Sequence, residues 1–124
     1  MLPTISEALK ELEIAGTKNP GPWTKHSENT GLAARNIAEK LPGMDVEKAY
    51  ILGLLHDIGR RVGIVNIPRH IYEGYLYCIK NGWEEAARIC MTHSYPLFLK
   101  EFDFEPQSME EKQIKAFLSH CEWD

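Results

Sequence analysis

Glycine and proline residues divide this chain into segments that have the lengths of α-helices. These breakers are Gly16, the stretch 19–22 (Asn-Pro-Gly-Pro), Pro42-Gly43, Gly82 and Pro96. Proline lacks the N–H that a helix interior needs, and glycine readily takes the left-handed conformation that ends a helix. Between the breakers, apolar residues recur every three or four positions, which is the period of a helix. The sequence therefore predicts an all-α protein built as a single compact bundle of about five to six helices.

Local signals set the expected bounds of these helices. Thr4 and Asp45 are suited to cap the first and third helices, and Pro68 suits the first position of the fourth. Ser108 and Glu111 form a capping box that starts the last helix. The third helix is apolar on two faces up to its last turn, so we expect it to be the central, buried helix. The expected ranges are 4–15, 24–41, 45–57, 68–81, 83–95 and 108–121, with a connector at 62–66 and a segment at 97–104 covering the core.

Helical spacing also predicts which residues face the core. The inner stripe of the second helix is expected to consist of Ala33, Ala34, Ile37 and Leu41. Counting back along this stripe reaches His26, which is therefore predicted to face inward. The same spacing puts His70 on the inner face of the fourth helix, beside Gly74, as if a ligand lay between helices. It puts His93 on the inner face of the fifth helix.

The third helix ends in a pair of polar residues that suit a metal better than a core. Residues 53–60 read Gly-Leu-Leu-His-Asp-Ile-Gly-Arg, so apolar side chains lead directly into His56 and Asp57. A buried carboxylate is costly unless it pairs or meets a cation. Adjacent side chains at a helix end point about 100° apart, so this pair can coordinate one ion from two sides or bridge two ions. Gly53 and Gly59 are expected to leave room for the ion.

Four of the five histidines, together with Asp57, fall at inward positions. Separate core histidines would each need a buried hydrogen-bond partner, whereas one shared ligand explains all of them at once. Imidazole and carboxylate groups suit one or two divalent transition metal ions, with iron, manganese, zinc, cobalt and nickel as candidates. The absence of a thiol cluster disfavours a structural zinc cage. The predicted metal ligands are His26, His56, Asp57, His70 and His93.

These residues resemble the motifs of the HD superfamily of metal-dependent phosphohydrolases, which are all-helical and are named for the His-Asp pair. His56 and Asp57 lie in a stretch similar to the family's central Gly-Leu-Leu-His-Asp-Ile-Gly-Lys/Arg motif. His26, followed by serine, is similar to the segment that donates the first histidine ligand. His70 and the 92–94 segment (Thr-His-Ser) are similar to elements of the subgroups that bind two metals.

The resemblance implies hydrolysis of a small phosphate ester or a nucleotide by a metal-bound hydroxide. It makes Asp57 the ligand that bridges two metals, and it places Arg60 near the substrate phosphate. Asp57 and Arg60 are therefore the expected catalytic residues. The alternative for Arg60 is a surface arginine near a helix C-terminus, where its charge is favourable.

One departure from the family concerns the aspartate that closes the metal site on a helix after the last histidine. No acid past His93 lies on a clear inward stripe, and Asp103 belongs to the segment that covers the core. We expect the closing aspartate on a further helix beyond Asp124, although Asp124 could substitute by folding back. The acids past His93 are Glu101, Asp103, Glu105, Glu110, Glu111, Glu122 and Asp124.

Three other functions remain open at this point. Some HD proteins use the same ligands for oxygen chemistry, so a di-iron oxygenase is one alternative. A second alternative is a sensory or scaffolding HD domain that binds a nucleotide or a partner without turnover; the full run of histidines speaks against it and the missing aspartate speaks for it. The third is a helical domain with no active site.

Composition limits the partners. A chain of 124 residues with a net charge of −4 and no lysine or arginine cluster is expected to be one domain that binds neither duplex nucleic acid nor a membrane. No apolar run has the length to span a bilayer and no signal peptide is recognisable, so we expect a cytoplasmic protein. The three cysteines lack metal-ligand spacing and are expected to be reduced thiols, mostly in the core. The expected partner is a small phosphorylated substrate, and the oligomeric state stays open.

Overall fold

The structure, a computed structural model, describes residues 1–93 and, beyond them, residues 108–109, 112–113 and 115–116. Residues 1–93 contain five α-helices and one short 3₁₀ helix, and no strand occurs among the described residues. The all-α prediction is confirmed. The helices are α1 (Ile5–Lys18), α2 (Trp23–Glu39), α3 (Val46–Leu55), the 3₁₀ helix Ile58–Val62, α4 (Ile67–Lys80) and α5 (Glu84–Thr92).

Side-chain caps begin three of the helices. The Thr4 hydroxyl accepts a hydrogen bond from Glu7 N at 3.1 Å, and the Asp45 carboxylate accepts one from Lys48 N at 3.0 Å, as predicted. The cap of α4 is not among the predictions, because Asn66 falls in the expected connector at 62–66. Asn66 accepts from the backbone N–H of Arg69 at 2.9 Å and so starts α4 one residue before Pro68.

The predicted end of α1 at Ala15 is wrong, because the helix continues through Gly16 to Lys18. The N–H of Asn19 closes the helix on the carbonyl of Ala15 at 2.9 Å. Gly16 serves packing instead of termination: a Cβ there would lie 3.0 Å from Cγ2 of Thr24 on α2. Gly82, by contrast, follows the C-cap residue Asn81 of α4 and has φ +77°, as expected for a glycine that ends a helix.

The predicted inner face of α2 is also wrong. Ile37 is 60% exposed and Leu41, beyond the end of the helix, is 48% exposed, so the stripe of larger aliphatic residues faces away from the core. The buried residues are small: Ser27, Gly31 and Ala38. Helix α2 packs through this small-residue face because it approaches α3 backbone to backbone, which larger side chains would prevent.

The central position predicted for α3 is confirmed. Its Leu54 and Leu55 are fully buried, and the helix packs against α1, α2 and α5. Cys78 and Cys90 are buried free thiols of the same core, in line with the prediction for the cysteines, while Cys121 lies outside the described residues.

The C-terminal predictions fall mostly outside the part of the chain that the structure describes. In the expected last helix, the described residues 109, 112, 113, 115 and 116 are helical, and Lys112 N donates to the carbonyl of Ser108 at 3.1 Å. Glu111 of the capping box and the segment at 97–104 lie outside the described residues. In the described part of the chain, no helix combines the length and the apolar character needed to cross a bilayer.

Candidate metal centre

The carboxylate of Asp57 lies at the centre of the four predicted histidines. Asp57 follows the end of α3 and precedes the 3₁₀ helix, and its side chain is only 7% exposed. The four histidines reach it from four different helices or helix ends. His26 comes from the first turn of α2, His56 from the C-cap of α3, His70 from the first turn of α4 and His93 from the C-cap of α5.

One oxygen of Asp57 faces two of the histidines. Oδ1 lies 2.9 Å from Nε2 of His70 and 2.9 Å from Nε2 of His93. The two Nε2 atoms lie 3.4 Å apart. We call Asp57, His70 and His93 the inner triad; its ligand atoms lie close enough together to hold one metal ion.

The other oxygen of Asp57 faces the remaining two histidines. Oδ2 lies 3.2 Å from Nε2 of His56 and 3.8 Å from Nε2 of His26. These two Nε2 atoms lie 3.2 Å apart. We call Asp57, His56 and His26 the outer triad, which also meets the spacing for one metal ion. Arg60 is at this side of the carboxylate, with its Nε 3.6 Å from Oδ2.

The two triads differ in burial. The side chain of His70 in the inner triad is 1% exposed, and that of His93 is 17% exposed. His26 in the outer triad is 61% exposed, which corrects the prediction that it faces inward. It lies at the edge of the packed face of α2, next to the fully buried Ser27, and still reaches His56.

The hydrogen bonds of the histidines show that the site suits a cation. Nδ1 of His56 lies 2.7 Å from the carbonyl of Gly53, and Nδ1 of His93 lies 2.9 Å from that of Cys90. A carbonyl oxygen only accepts, so both Nδ1 atoms donate, and in a neutral ring Nε2 then carries a lone pair. These lone pairs point at the Asp57 oxygens and at other imidazole nitrogens. Acceptors facing acceptors require a proton or a metal ion between them, and the donor set fits a divalent transition metal.

The ionisation of the site follows from the same contacts. Burial acts to raise the pKa of Asp57, but the hydrogen bonds from His56, His70 and His93 outweigh it and hold that pKa well below its usual range. Burial lowers the pKa of His56, yet the hydrogen bond and charge of Asp57 outweigh burial and leave that pKa raised. For His70, burial prevails and the pKa is lowered. Asp57 is therefore an ionised carboxylate, and its negative charge favours a cation beside it.

Close glycine contacts position the ligands, and this corrects the prediction that glycines leave room for the ion. A Cβ on Gly53 would lie 2.6 Å from Cα of Gly31, so the backbone of α2 occupies that space. A Cβ on Gly59 would collide with the carbonyl oxygen of His70 and lie 2.6 Å from N of Gly74. The space beside Gly74 is likewise filled, by the 3₁₀ helix and by the Cys90 side chain at 3.0 Å. The glycines bring backbones together around the site, and protein atoms fill the space beside them.

Sequence reasoning missed Gly31 and Ser27 as parts of the framework around the site. A glycine in the middle of a helix disfavours that helix and so indicates a packing role, which is the signal that could have identified Gly31.

The acids past His93, considered above for closing the site, all lie outside the described residues. They are Glu101, Asp103, Glu105, Glu110, Glu111, Glu122 and Asp124.

Comparison with known proteins adds the family. The family model of the HDOD domain matches residues 4–93, which cover more than half of the chain and all five ligand candidates. Comparisons with curated proteins and with solved structures give no significant match. The resemblance to HD proteins is thus confirmed at the level of an HD-like family. Residues 4–93 therefore show that this chain belongs to the HDOD domain family.

Proposed function

We propose that this protein is a metal-dependent phosphohydrolase that acts on a small phosphate ester or a nucleotide. One observation carries the proposal: a single carboxylate, Asp57, faces a pair of histidines with each of its two oxygens. Two nitrogen-rich triads that share one carboxylate suit a pair of divalent ions. When bound, such ions supply positive charge to a phosphate oxygen and lower the pKa of water, which is the chemistry that phosphate-ester hydrolysis needs.

The residues of the chain have separate roles in this proposal. Asp57 stays ionised because its pKa is held low, so it acts as a ligand and does not donate a proton. The Nδ1 hydrogen bonds of His56 and His93 fix both rings with Nε2 turned towards the carboxylate. These contacts prepare the ligand geometry before any substrate arrives.

Arg60 is suited to hold the phosphate group. Its side chain is 34% exposed, so the guanidinium can contact a molecule in solution while its Nε stays 3.6 Å from Oδ2 of Asp57. Guanidinium groups bind phosphate oxygens with two parallel N–H donors. The backbone carbonyl of Arg60 accepts a hydrogen bond from Asn19 Nδ2 at 2.6 Å, which ties the residue to the end of α1.

The test combines metal content with hydrolysis. Elemental analysis of the purified protein should find at least one equivalent of transition metal, and reconstitution with Mn²⁺, Zn²⁺ or Fe²⁺ in the presence of a phosphate analogue should bring the value close to two. The metal-loaded protein should hydrolyse p-nitrophenyl phosphate, bis(p-nitrophenyl) phosphate or a nucleotide, and EDTA should stop the reaction. Asp57→Asn should lose both metal and hydrolysis, while the control Glu39→Gln, in an exposed ion pair on α2, should keep both.

Other outcomes would contradict the proposal. Hydrolysis that persists in Asp57→Asn would show that it does not occur at this site. A protein that binds two ions and hydrolyses none of these esters would instead be a non-catalytic binding domain, and oxygen uptake by the iron-loaded form would identify an oxygenase.

A further inference from the structure

The inner and outer triads offer very different surroundings to a cation. In the inner triad, the imidazole of His70 is buried and that of His93 nearly so, which means that packing already fixes the ligands. In the outer triad, His26 is 61% exposed and must give up side-chain freedom and hydration before it can bind. Ligands held in place before binding give the higher affinity.

Charge separates the two triads further. Asp57 is the only carboxylate in either triad among the residues that the structure describes. Its single negative charge serves both triads, so an ion in the inner triad leaves little of that charge for a second one. Arg60 adds a positive charge on the outer side, with Nε 3.6 Å from Oδ2. A divalent ion that entered the outer triad alone would lie close to two positive charges, the ion of the inner triad and the guanidinium of Arg60. Water screens charges incompletely at such short range.

We propose, on the basis of the metal binding put forward under the proposed function, that the inner triad takes the first divalent ion, and that the outer triad takes the second ion only together with a phosphate-type oxyanion. The oxyanion contributes the negative charge that the outer triad lacks. Arg60 then contacts the oxyanion. Its positive charge therefore disfavours the second ion alone but favours the second ion when it binds together with the oxyanion. Because coupling between ligands is reciprocal, the second ion raises the affinity for the oxyanion by the same factor.

The experiment measures metal binding with a phosphate analogue that cannot be hydrolysed. Free Mn²⁺ is followed by EPR during titration of the full chain, with and without methylphosphonate, and a titration of Mn²⁺ into methylphosphonate alone corrects for their own association. Without methylphosphonate, one tight ion per chain is expected. With it, the Kd of the second ion should fall by about tenfold or more. Methylphosphonate should in turn bind more tightly to the protein at high Mn²⁺.

Variants assign each ion to its triad. His26→Ala should keep the tight ion and lose the ion that depends on methylphosphonate, whereas His70→Ala should lose the tight ion. Arg60→Gln should bind the second ion more tightly without methylphosphonate and gain less from its addition. Arg35→Gln is the matched control, because Arg35 has a similarly exposed side chain and stacks over Tyr50, away from the site. Far-UV circular dichroism checks that each variant is folded.

Three results would overturn the inference. Loss of the tight ion in His26→Ala, with its retention in His70→Ala, would reverse the order of filling. Two ions that bind with the same affinities in the presence and absence of methylphosphonate would remove the coupling while leaving the two-metal site of the proposed function intact. A wild-type protein that binds no ion at all would contradict the proposed function together with this inference.

Discussion

Gly31 and Gly53 bring the backbones of α2 and α3 into direct contact, since a Cβ on Gly53 would lie 2.6 Å from Cα of Gly31 and 2.9 Å from its N. His26 lies five residues before Gly31, and His56 lies three residues after Gly53. The contact between the glycines therefore sets the distance of 3.2 Å between the two imidazole Nε2 atoms of the outer triad. A contact that involves no side chain determines the geometry of half of the site.

Gly53→Ala should destabilise the protein, because the added methyl group meets backbone atoms that cannot rotate away. Overpacking of this kind costs about 1–3 kcal/mol in the free energy of unfolding, and a backbone clash belongs at or above the upper end. Urea denaturation monitored by circular dichroism measures the change. Gly16→Ala is the control: its methyl group meets the Thr24 side chain at 3.0 Å, and the gain in helix propensity of about 1 kcal/mol offsets that contact. Equal stabilities of the two variants would contradict the close approach of α2 and α3.

Gly59→Ala should weaken the inner triad as well as the fold. A methyl group at Gly59 collides with the carbonyl of His70, so α4 must move and carry the imidazole of His70 away from Asp57. Gly74→Ala provides the milder comparison, because its methyl group meets the side chain of Cys90 at 3.0 Å. We expect Gly59→Ala to lower both the melting temperature and the affinity for the tight metal ion more than Gly74→Ala does. The reverse ranking would mean that the 3₁₀ helix does not position His70.

Arg60→Ala should impair hydrolysis at saturating metal, while its metal content should not fall below that of the wild type. Removal of one preorganised charge that stabilises a reacting phosphate costs roughly a hundredfold or more in kcat. Steady-state kinetics and elemental analysis on the same samples separate the two effects. Arg35→Ala should match the wild type in both measurements, since Arg35 lies about 14 Å along α2 from His26. A fall in the metal content of Arg60→Ala would make Arg60 a structural residue.

Tyr77 should make the protein sensitive to high pH. Its hydroxyl donates to the carboxylate of Glu11, which joins α4 to α1. Burial and this hydrogen bond raise the pKa of Tyr77 to about 12, compared with 10.0 for an unperturbed tyrosine. The folded state therefore holds this proton more tightly than the unfolded state, and the resulting stabilisation is complete below pH 10.0 and disappears as the pH rises through about 12.

The free energy of unfolding of the wild type should accordingly fall more steeply than that of Tyr77→Phe between pH 10.0 and about 12. Glu11→Gln should have a slope between those of the wild type and Tyr77→Phe, because it removes the negative charge beside the hydroxyl but leaves the hydroxyl partly buried. Denaturation series at several pH values measure the slopes. Parallel slopes for all three proteins would show that this hydrogen bond does not form in solution.

Local chemistry explains what the sequence could predict. The caps Thr4 and Asp45 depend only on residues within one helical turn, and the end of α4 depends on Gly82 alone. The pair His56 and Asp57 was recognisable because a charged residue directly after an apolar run needs a partner. Helical spacing predicted that His70 and His93 face inward, and the structure brings both to Asp57. His26 also reaches the site, but from an exposed position and not from the predicted inner stripe of α2.

The features that sequence reasoning missed depend on contacts between distant segments. The buried face of α2 consists of small residues, which give a weak hydrophobic signal. The close approach of Gly31 to Gly53 determines that this face packs against α3. The exposure of His26 follows from that choice. The division of the ligands into two triads likewise depends on the direction of each oxygen of Asp57, which no spacing along the chain encodes.

The most direct test of a two-metal centre at Asp57 is anomalous diffraction from crystals grown with Mn²⁺ and methylphosphonate, recorded above and below the manganese edge. Two anomalous peaks are expected, one beside each oxygen of Asp57 and about 4 Å apart, which is the usual spacing in two-metal sites. One peak should lie among His70, His93 and Oδ1, and the other among His26, His56 and Oδ2. The absence of both peaks, or peaks away from Asp57, would contradict the assignment of this site as a two-metal centre.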